Sequence, residues 1–336
     1  MTKAESLVEI WRGPFLESLH RGHAVVWQDG GGIVASWGDP GQVILPRSSC
    51  KMIQALPLVE SGGADAAGLS EAHLALSCAS HNAAEVHNRM VTDWITGLGL
   101  DPEQALRCGP QMPRDEAVMH ALIKTDDSPC RVHNNCSGKH SGFLTLSQHL
   151  GGGADYVDPD HPVQRAVRAA FEEVTGEDSP GFGIDGCSAP NFATSLQGLA
   201  RAMARFAGAT GGGDTRDRAM HRLTRAMAAH PVLVAGEGRS CTALMRAMEG
   251  RASVKTGAEA VFVAIVPERR MGVAVKIEDG GTRASEAVTT QILVGLGVLA
   301  ADHPVAEEYT RGPIRNWDGL ETGHYRPVDS LRNWRV

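Results

Sequence analysis

Three short segments carry serine and lysine residues of the kind that perform acyl transfer. Ser48 and Lys51 are separated by two residues, a Ser-His-Asn segment begins at Ser80, and a Lys-Thr-Gly segment begins at Lys255. A serine hydroxyl becomes a strong nucleophile only when a neighbouring base takes its proton, and a neutral lysine can be that base. A second lysine nearby favours the neutral amine, because like charges repel. In this order, the three segments are typical of serine enzymes that use lysine as the base.

The sequence around Ser48 predicts the geometry that this chemistry needs. An extended run ends at Pro46 and a helical pattern runs from Lys51 to Glu60, so Ser48 is expected at a helix start. Residues three apart share one helix face, and the free N–H groups of a helix start suit an oxyanion. For this pair alone, a serine N-cap is the more common explanation. The ordered set of three segments favours an enzyme.

A second group of reactive side chains surrounds two cysteines, Cys136 and Cys187. Two thiolates are good zinc ligands. Other donors that could complete a tetrahedral site lie in the same two stretches: His133, Lys139, His140 and Asp185. The spacing is not that of a zinc finger. On spacing alone, buried free cysteines are the more common explanation, because free cysteine is among the most buried residue types.

Composition narrows the class of protein. The chain has 336 residues, of which 42% are hydrophobic and 21% charged, as in ordinary soluble globular proteins. A net charge of −7, with no basic run interleaved with aromatics, argues against nucleic-acid binding and favours a small-molecule substrate. The N-terminal stretch contains no apolar segment of signal-peptide length, so we expect a cytoplasmic protein without a membrane partner. Seven cysteines at irregular spacing argue against a disulfide framework.

The pattern of apolar residues predicts strands at both ends of the chain and helices between them. Short apolar runs split by turn residues fill the first 45 positions, and two further runs at 260–266 and 271–277 form a predicted hairpin. We therefore expect one catalytic domain over 1–336. Its αβ lobe is predicted at about 1–70 and 250–336, with one antiparallel sheet drawn from both termini, and its helical lobe at about 71–249.

Seven segments in the same order resemble those of the rhizobial-type L-asparaginases, the class 3 enzymes of the asparaginase II family. They are residues 46–51, 77–82, 134–140, 185–187, 236–239, 255–259 and 276–280. The resemblance covers nearly the whole chain. It departs from the family pattern Lys-Gly-Gly-Ala-Glu-Gly at Thr256 and Ala260, where glycines are expected.

The resemblance implies an α+β fold similar to serine β-lactamases and Ser-x-x-Lys glutaminases, and a homodimer. It implies hydrolysis of L-asparagine to L-aspartate and ammonia. Ser48 and Lys51 match the family's nucleophile and base, and Ser80 and Lys255 match its second Ser/Lys pair.

The resemblance also implies a zinc ion held by Cys136, Lys139 and Cys187 with a water. Residues expected to contact the substrate or to flank the metal are Arg47, Asn82, His140 and Asp185. Of these, Arg47 could hold the substrate α-carboxylate through a bidentate pair, or could form a structural ion pair.

Two other classes of function compete with this interpretation. One is a glutaminase or a β-lactamase-like serine amidohydrolase, which the Ser-x-x-Lys segment alone does not separate from an asparaginase. The other is a non-catalytic amino-acid-binding protein that kept the pocket. A binding protein has no need of two Ser/Lys pairs, which favours the enzyme.

Overall fold

A computed structural model describes residues 4–336 of the chain. Its contacts define two compact units. The sheet unit comprises the residues up to Ser49, Thr194–Gly208 and Ala243–Val336, and the helical unit comprises Cys50–Ala193 and Ala209–Thr242. One segment from the middle of the sequence, Thr194–Gly208, belongs to the sheet unit. The single catalytic domain and the lobe boundaries expected from the sequence stay predictions.

Residues 4–336 contain twelve strands: β1 (Glu5–Arg12), β2 (Phe15–Gln28), β3 (Gly32–Trp37), β4 (Val43–Ile44), β5 (Phe182–Ile184), β6 (Pro190–Phe192), β7 (Thr194–Ser195), β8 (Ser253–Thr256), β9 (Val261–Val266), β10 (Met271–Ile277), β11 (Pro313–Arg315) and β12 (Glu321–Pro327). The described part of the chain also contains sixteen α-helices: α1 (Lys51–Gln54), α2 (Leu56–Glu60), α3 (Gly63–Ala66), α4 (Glu71–Ser77), α5 (Glu85–Gly97), α6 (Pro102–Ala105), α7 (Glu116–Thr125), α8 (Ser137–His149), α9 (Pro162–Thr175), α10 (Leu196–Gly208), α11 (Thr215–Ala229), α12 (Pro231–Ala235), α13 (Ser240–Ala247), α14 (Thr282–Gly295), α15 (Pro304–Thr310) and α16 (Asp329–Arg332). Short 3₁₀ turns cover Arg47–Cys50, Arg131–His133 and Pro267–Arg269. No helix within the described range 4–336 is both long and apolar enough to span a membrane.

The sheet unit is built on an antiparallel sheet of eight strands that come from both ends of the chain. Its order is β11-β12-β1-β2-β10-β9-β8, and β3 pairs with β2. Every residue of β9 is buried, which means that both faces of the sheet are covered there. The structure confirms the predicted α+β class, the hairpin of β9 and β10, and the sheet shared by the two termini.

One glycine brings a helix close to the centre of this sheet. Helix α10 packs against β10, β2 and β9, whereas α14 packs against β10, β9 and β1. A Cβ atom on Gly272 of β10 would lie 2.2 Å from the backbone nitrogen of Ala204 and 2.3 Å from the carbonyl oxygen of Ala200. The α10 backbone therefore contacts the strand directly, and only glycine fits at this position.

The helical unit surrounds α8, whose residues from Ser137 to Ser147 are buried. Gly138 permits the close approach of α4, since a Cβ atom there would lie 2.5 Å from the Leu76 carbonyl oxygen. The first turn of α8 nevertheless carries Lys139 and His140. Burial of such polar groups is costly unless they are paired, so this helix end is a candidate for function.

The helix start expected at Ser48 differs from the observed one. Ser48 lies in the 3₁₀ turn Arg47–Cys50, and α1 begins at Lys51 and ends at Gln54. Pro57 has no N–H group to donate to the carbonyl of Ile53, so a continuous helix to Glu60 cannot form. The chain resumes as α2 after Ala55.

Candidate active site

The turn that carries Ser48 is fixed from within the sheet unit. Ser49 is fully buried, and its hydroxyl donates a hydrogen bond of 2.8 Å to the Pro46 carbonyl. The Lys-Thr-Gly segment packs against the same turn, because a Cβ atom on Gly257 would lie 2.6 Å from the Pro46 oxygen and 3.0 Å from the Ser49 nitrogen. The Ser48 segment and the Lys-Thr-Gly segment are therefore neighbours. The Ser49 hydroxyl is used in a structural hydrogen bond.

Lys255 points from β8 into a buried environment. The strand pairs Lys255 with Val263 of β9, and the lysine is 1% exposed. Its amine donates a hydrogen bond of 2.8 Å to the Thr256 carbonyl. A buried lysine on a strand is costly to the fold. Its placement favours a functional role.

The helical unit brings Lys51, Ser80 and Cys136 together. The Lys51 side chain is fully buried, and its amine donates to the Ala79 carbonyl. The same amine lies 3.0 Å from the Ser80 hydroxyl oxygen and 3.1 Å from the Cys136 sulfur. A lysine and a serine at this distance can exchange a proton.

His81, which the sequence interpretation did not single out, holds the Ser80 segment in place. Its Nδ1 accepts a hydrogen bond from the Ala83 N–H, so its Nε2 carries the proton that is donated to the Ser137 hydroxyl at 2.9 Å. The Ser80 N–H donates to the Val234 carbonyl. Both ring nitrogens of His81 are thus in use, and the ring positions its neighbour instead of acting as a base.

Asn82 supports a loop that begins at Gly236. The Asn82 carbonyl accepts hydrogen bonds from the N–H groups of Arg114 and Asp115. A Cβ atom on Gly236 would lie 2.3 Å from the Asn82 side-chain oxygen, and φ of Gly236 is 102°. Only glycine permits this contact. The substrate contact expected of Asn82 remains a prediction.

Cys136, Lys139 and Cys187 form a buried thiol cluster. The Lys139 amine donates to the Cys187 sulfur at 3.0 Å. A hydrogen bond from Cys136 and the charge of Lys139 hold the pKa of Cys187 well below its usual value, against the effect of burial. The hydrogen bond to Cys187, together with burial, raises the pKa of Cys136. Within this pair, the negative charge is therefore favoured on Cys187 and the proton on Cys136.

The charges around Lys139 reinforce this state. Burial lowers the pKa of its ammonium group, but the charges of Cys187, Cys136 and Asp185 raise it above the ordinary value. Asp185 lies in a tight turn, where its carboxylate accepts a hydrogen bond from the N–H of Gly186. This turn presents Cys187, which is 3% exposed.

A family model described as L-asparaginase II matches residues 8–327 of the chain, which is most of its length. The protein belongs to the L-asparaginase II family. It is accordingly an amidohydrolase. Comparison of the sequence with curated proteins gives no match.

Solved structures that resemble the chain include β-lactamases and a protein named Mglu. A β-lactamase from Mycobacterium bovis has a TM-score of 0.44 at 11% identity, over 81% of this chain and 93% of the other. A class C β-lactamase from Rhodobacter sphaeroides has a TM-score of 0.41 at 16% identity, over 81% of this chain and 95% of the other. Mglu in its native form has a TM-score of 0.44 at 13% identity, over 84% of this chain and 66% of the other.

His140 flanks the thiol cluster of this L-asparaginase II family member. Tyr156 accepts the N–H of Arg107 at 2.8 Å, so its O–H donates to Nδ1 of His140, also at 2.8 Å. The proton of the neutral ring is then on Nε2, and a hydrogen bond links the His140 side chain to Cys187. Burial lowers the pKa of His140 to about 4. Tyr156, a residue that the sequence interpretation missed, thereby fixes a ring that cannot ligate a metal in this tautomer.

The thiol cluster fits the zinc ion that the family resemblance implies. Two sulfurs and one amine meet in a buried position, and their types suit zinc. No set of three or more Cys, His, Asp or Glu side chains within residues 4–336 is arranged around a common metal position. The third protein donor would therefore be Lys139, which must lose its proton to bind. All seven cysteines are free thiols, so neither Cys136 nor Cys187 is held in a disulfide.

Proposed function

We propose that the protein hydrolyses L-asparagine to L-aspartate and ammonia through an acyl-enzyme on Ser48. The observation that carries the proposal is the buried Lys51 amine, 3.0 Å from the Ser80 hydroxyl, in a chain of the L-asparaginase II family. Lys51 follows Ser48 by three residues, the spacing that serves a nucleophile and its base. A homodimer and a cytoplasmic location remain predictions.

In the first half of the reaction, neutral Lys51 takes the proton of the Ser48 hydroxyl as its oxygen attacks the side-chain amide carbon. The tetrahedral oxyanion is stabilised by backbone N–H groups. The carbon–nitrogen bond then breaks, and Ser80 and Lys255 relay to the departing nitrogen the proton that Lys51 took from Ser48, which leaves Lys51 neutral again. Ammonia leaves, and the aspartyl group remains as an ester on Ser48.

In the second half, water replaces the leaving group. The neutral lysine takes a proton from the water, whose oxygen attacks the ester carbon. The ester bond breaks, Ser48 regains its proton, and L-aspartate is released. The Ala79 carbonyl and the Ser80 hydroxyl hold the buried Lys51 amine, which supports its proposed use as the base in both halves.

We also propose that Cys136, Lys139 and Cys187 hold zinc. The bound ion would supply a positive charge that neutralises the thiolates. Cys136 links the proposed zinc ligands to the proposed base, since its sulfur lies 3.1 Å from the Lys51 amine. Loss of this sulfur would therefore disturb the base as well as the metal site.

The substrate is tested by parallel ammonia release from L-asparagine and L-glutamine, with hydrolysis of a cephalosporin measured on the same preparation. We expect L-asparagine to give the highest kcat/KM. Preference for glutamine or for the cephalosporin would contradict the proposal. Binding of asparagine without turnover of any of the three would instead support a binding protein.

Gly257→Ala is expected to lower kcat by about 10- to 100-fold, as small displacements of reacting groups do. The added Cβ atom must push away the Pro46 carbonyl and the Ser49 nitrogen, and with them the turn of Ser48. Overpacking of this kind also lowers the free energy of unfolding by about 1–3 kcal/mol. Ammonia release and thermal unfolding measure the two effects. The matched control is Gly97→Ala, where nothing lies within 4 Å of the new atom, and an equal loss in both variants would contradict the assigned contact.

A further inference from the structure

The sheet unit contains a cleft of about 400 Å³, a volume suited to a small molecule. One wall is the segment of Gln42 to Leu45, around β4. The charged residues that line it are Arg47, Glu259, Lys276 and Glu278. Two are cations and two are anions, so the formal charges of the lining cancel.

The two cations of the cleft, Arg47 and Lys276, line the same cavity and their charges interact. Burial lowers the pKa of the Lys276 ammonium, and the charge of Arg47 lowers it further, while Glu259 opposes both effects. The Lys276 amine also donates a hydrogen bond to the backbone carbonyl of Glu259. This bond fixes the ammonium group at the rim, where it and the Arg47 guanidinium can share one carboxylate.

The two anions are held by different means. Glu278 lies 3.9 Å from Nε2 of His23, which is 1% exposed. The Asp39 N–H donates to Nδ1 of His23 at 2.8 Å, so the proton of the neutral ring is on the nitrogen that faces Glu278. Burial lowers the pKa of His23, which favours that neutral form. Glu259, in contrast, is exposed on a turn.

Two residues of this lining have strained backbone conformations. Arg47 has φ of 54° and Glu259 has φ of 57°, and neither is a glycine. Ala260, which follows Glu259, has φ of 54° and stands where the family resemblance leads us to expect glycine. Such conformations are unfavourable for residues other than glycine and cluster at active sites and ligand clamps. Two of the four charged residues are thus held in unfavourable conformations that aim them at the cleft.

We propose that this cleft binds the α-carboxylate and the α-ammonium group of an amino-acid substrate. Arg47 and Lys276 hold the carboxylate, and Glu259 and Glu278 hold the ammonium. A zwitterion satisfies both signs, whereas a dicarboxylate or a diamine leaves one pair of like charges uncompensated. The inference rests on the proposed function, since Arg47 immediately precedes the nucleophile Ser48. It adds three residues that the sequence interpretation did not place at the substrate: Glu259, Lys276 and Glu278.

Substrate analogues separate the two halves of the cleft. β-Alaninamide is L-asparagine without its α-carboxylate, and succinamic acid is L-asparagine without its α-amino group. Lys276→Met is expected to lower kcat/KM for L-asparagine by about 10- to 100-fold, mainly through KM, as loss of a hydrogen bond to a charged group does. For β-alaninamide the same variant should match the wild type within about threefold, because the group that Lys276 binds is absent.

Substitution of the two cleft carboxylates, which bind the α-ammonium group, is expected to give the converse result. Glu259→Gln and Glu278→Gln should lower kcat/KM for L-asparagine by about 10-fold and leave succinamic acid unchanged. Lys124→Met and Glu307→Gln are the matched controls, since both residues are exposed helix positions outside the cleft. Equal losses on the substrate and on its truncated analogue would overturn the proposal.

Calorimetric binding of L-asparagine to Ser48→Ala separates this proposal from the proposed function. If the wild type releases no ammonia but binding to Ser48→Ala is weakened at least 10-fold by adding Lys276→Met, the cleft is supported and the catalytic proposal fails. If turnover is normal and Lys276→Met changes neither binding nor KM, the cleft is overturned and the catalytic proposal stands.

Discussion

Ser48→Ala is expected to reduce kcat by about four orders of magnitude or more, with the fold retained. The substitution removes the oxygen that forms the acyl-enzyme, and the remaining groups cannot supply another nucleophile at the same position. Ammonia release from L-asparagine measures the loss, and circular dichroism with thermal unfolding checks the fold.

The neighbouring serine provides a close control for this experiment. Ser49→Ala removes a hydroxyl that donates to the Pro46 carbonyl, so the variant loses about 1 kcal/mol of stability and keeps turnover within about tenfold of the wild type. A Ser48→Ala protein with more than about a tenth of wild-type kcat would show that another residue is the nucleophile. Ser80 would then be the next candidate, because its hydroxyl lies 3.0 Å from the Lys51 amine.

Cys187→Ser is expected to abolish stoichiometric zinc binding. The wild type should contain about one zinc per chain by elemental analysis after purification without chelator, as one tetrahedral site implies. The substitution removes the sulfur that Lys139 contacts at 3.0 Å, and a serine hydroxyl is a poor zinc ligand. Cys136→Ser should have the same effect on the metal and, through its contact with Lys51, a larger effect on kcat.

Cys130→Ser is the control for the metal experiment, since Cys130 is a partly exposed thiol outside the thiol cluster. It should retain the metal content of the wild type. Wild-type protein that stays metal-free after zinc is added would contradict the site. Activity that persists after zinc loss would assign the metal a role in shaping the pocket and not in the chemistry.

The regular elements of the sheet unit could be predicted because their residues alternate or cluster as strands do. The apolar runs of β9 and β10 flank a charged turn, and the predicted hairpin is confirmed. Strand β8 was missed, because Ser253–Thr256 is short and contains a lysine, and only its pairing with β9 makes it a strand. Strand β12 was also missed, because its residues are mostly polar and only its pairing with β1 makes it a strand.

The sequence predicts which residue types form the candidate site, but it does not predict which of these residues are in contact. Lys51 and Cys136 are 85 positions apart, and their 3.1 Å contact depends on the packing of α8. The supporting groups His81 and Tyr156 have no spacing signal, because a histidine that fixes a loop and a tyrosine that fixes a ring look like ordinary core residues. The 3₁₀ turn at Ser48 depends on a left-handed Arg47, which a propensity argument does not foresee.

The most direct test of the central claim is to trap the acyl-enzyme. The wild type is mixed with L-asparagine, quenched in acid within the first turnovers, digested and measured by mass spectrometry. We predict that the peptide containing Ser48 gains the mass of one aspartyl group, that Lys255→Met changes its accumulation, and that the Ser48→Ala peptide stays unmodified. Ammonia release at the normal rate with no modified Ser48 peptide at any quench time would contradict the account.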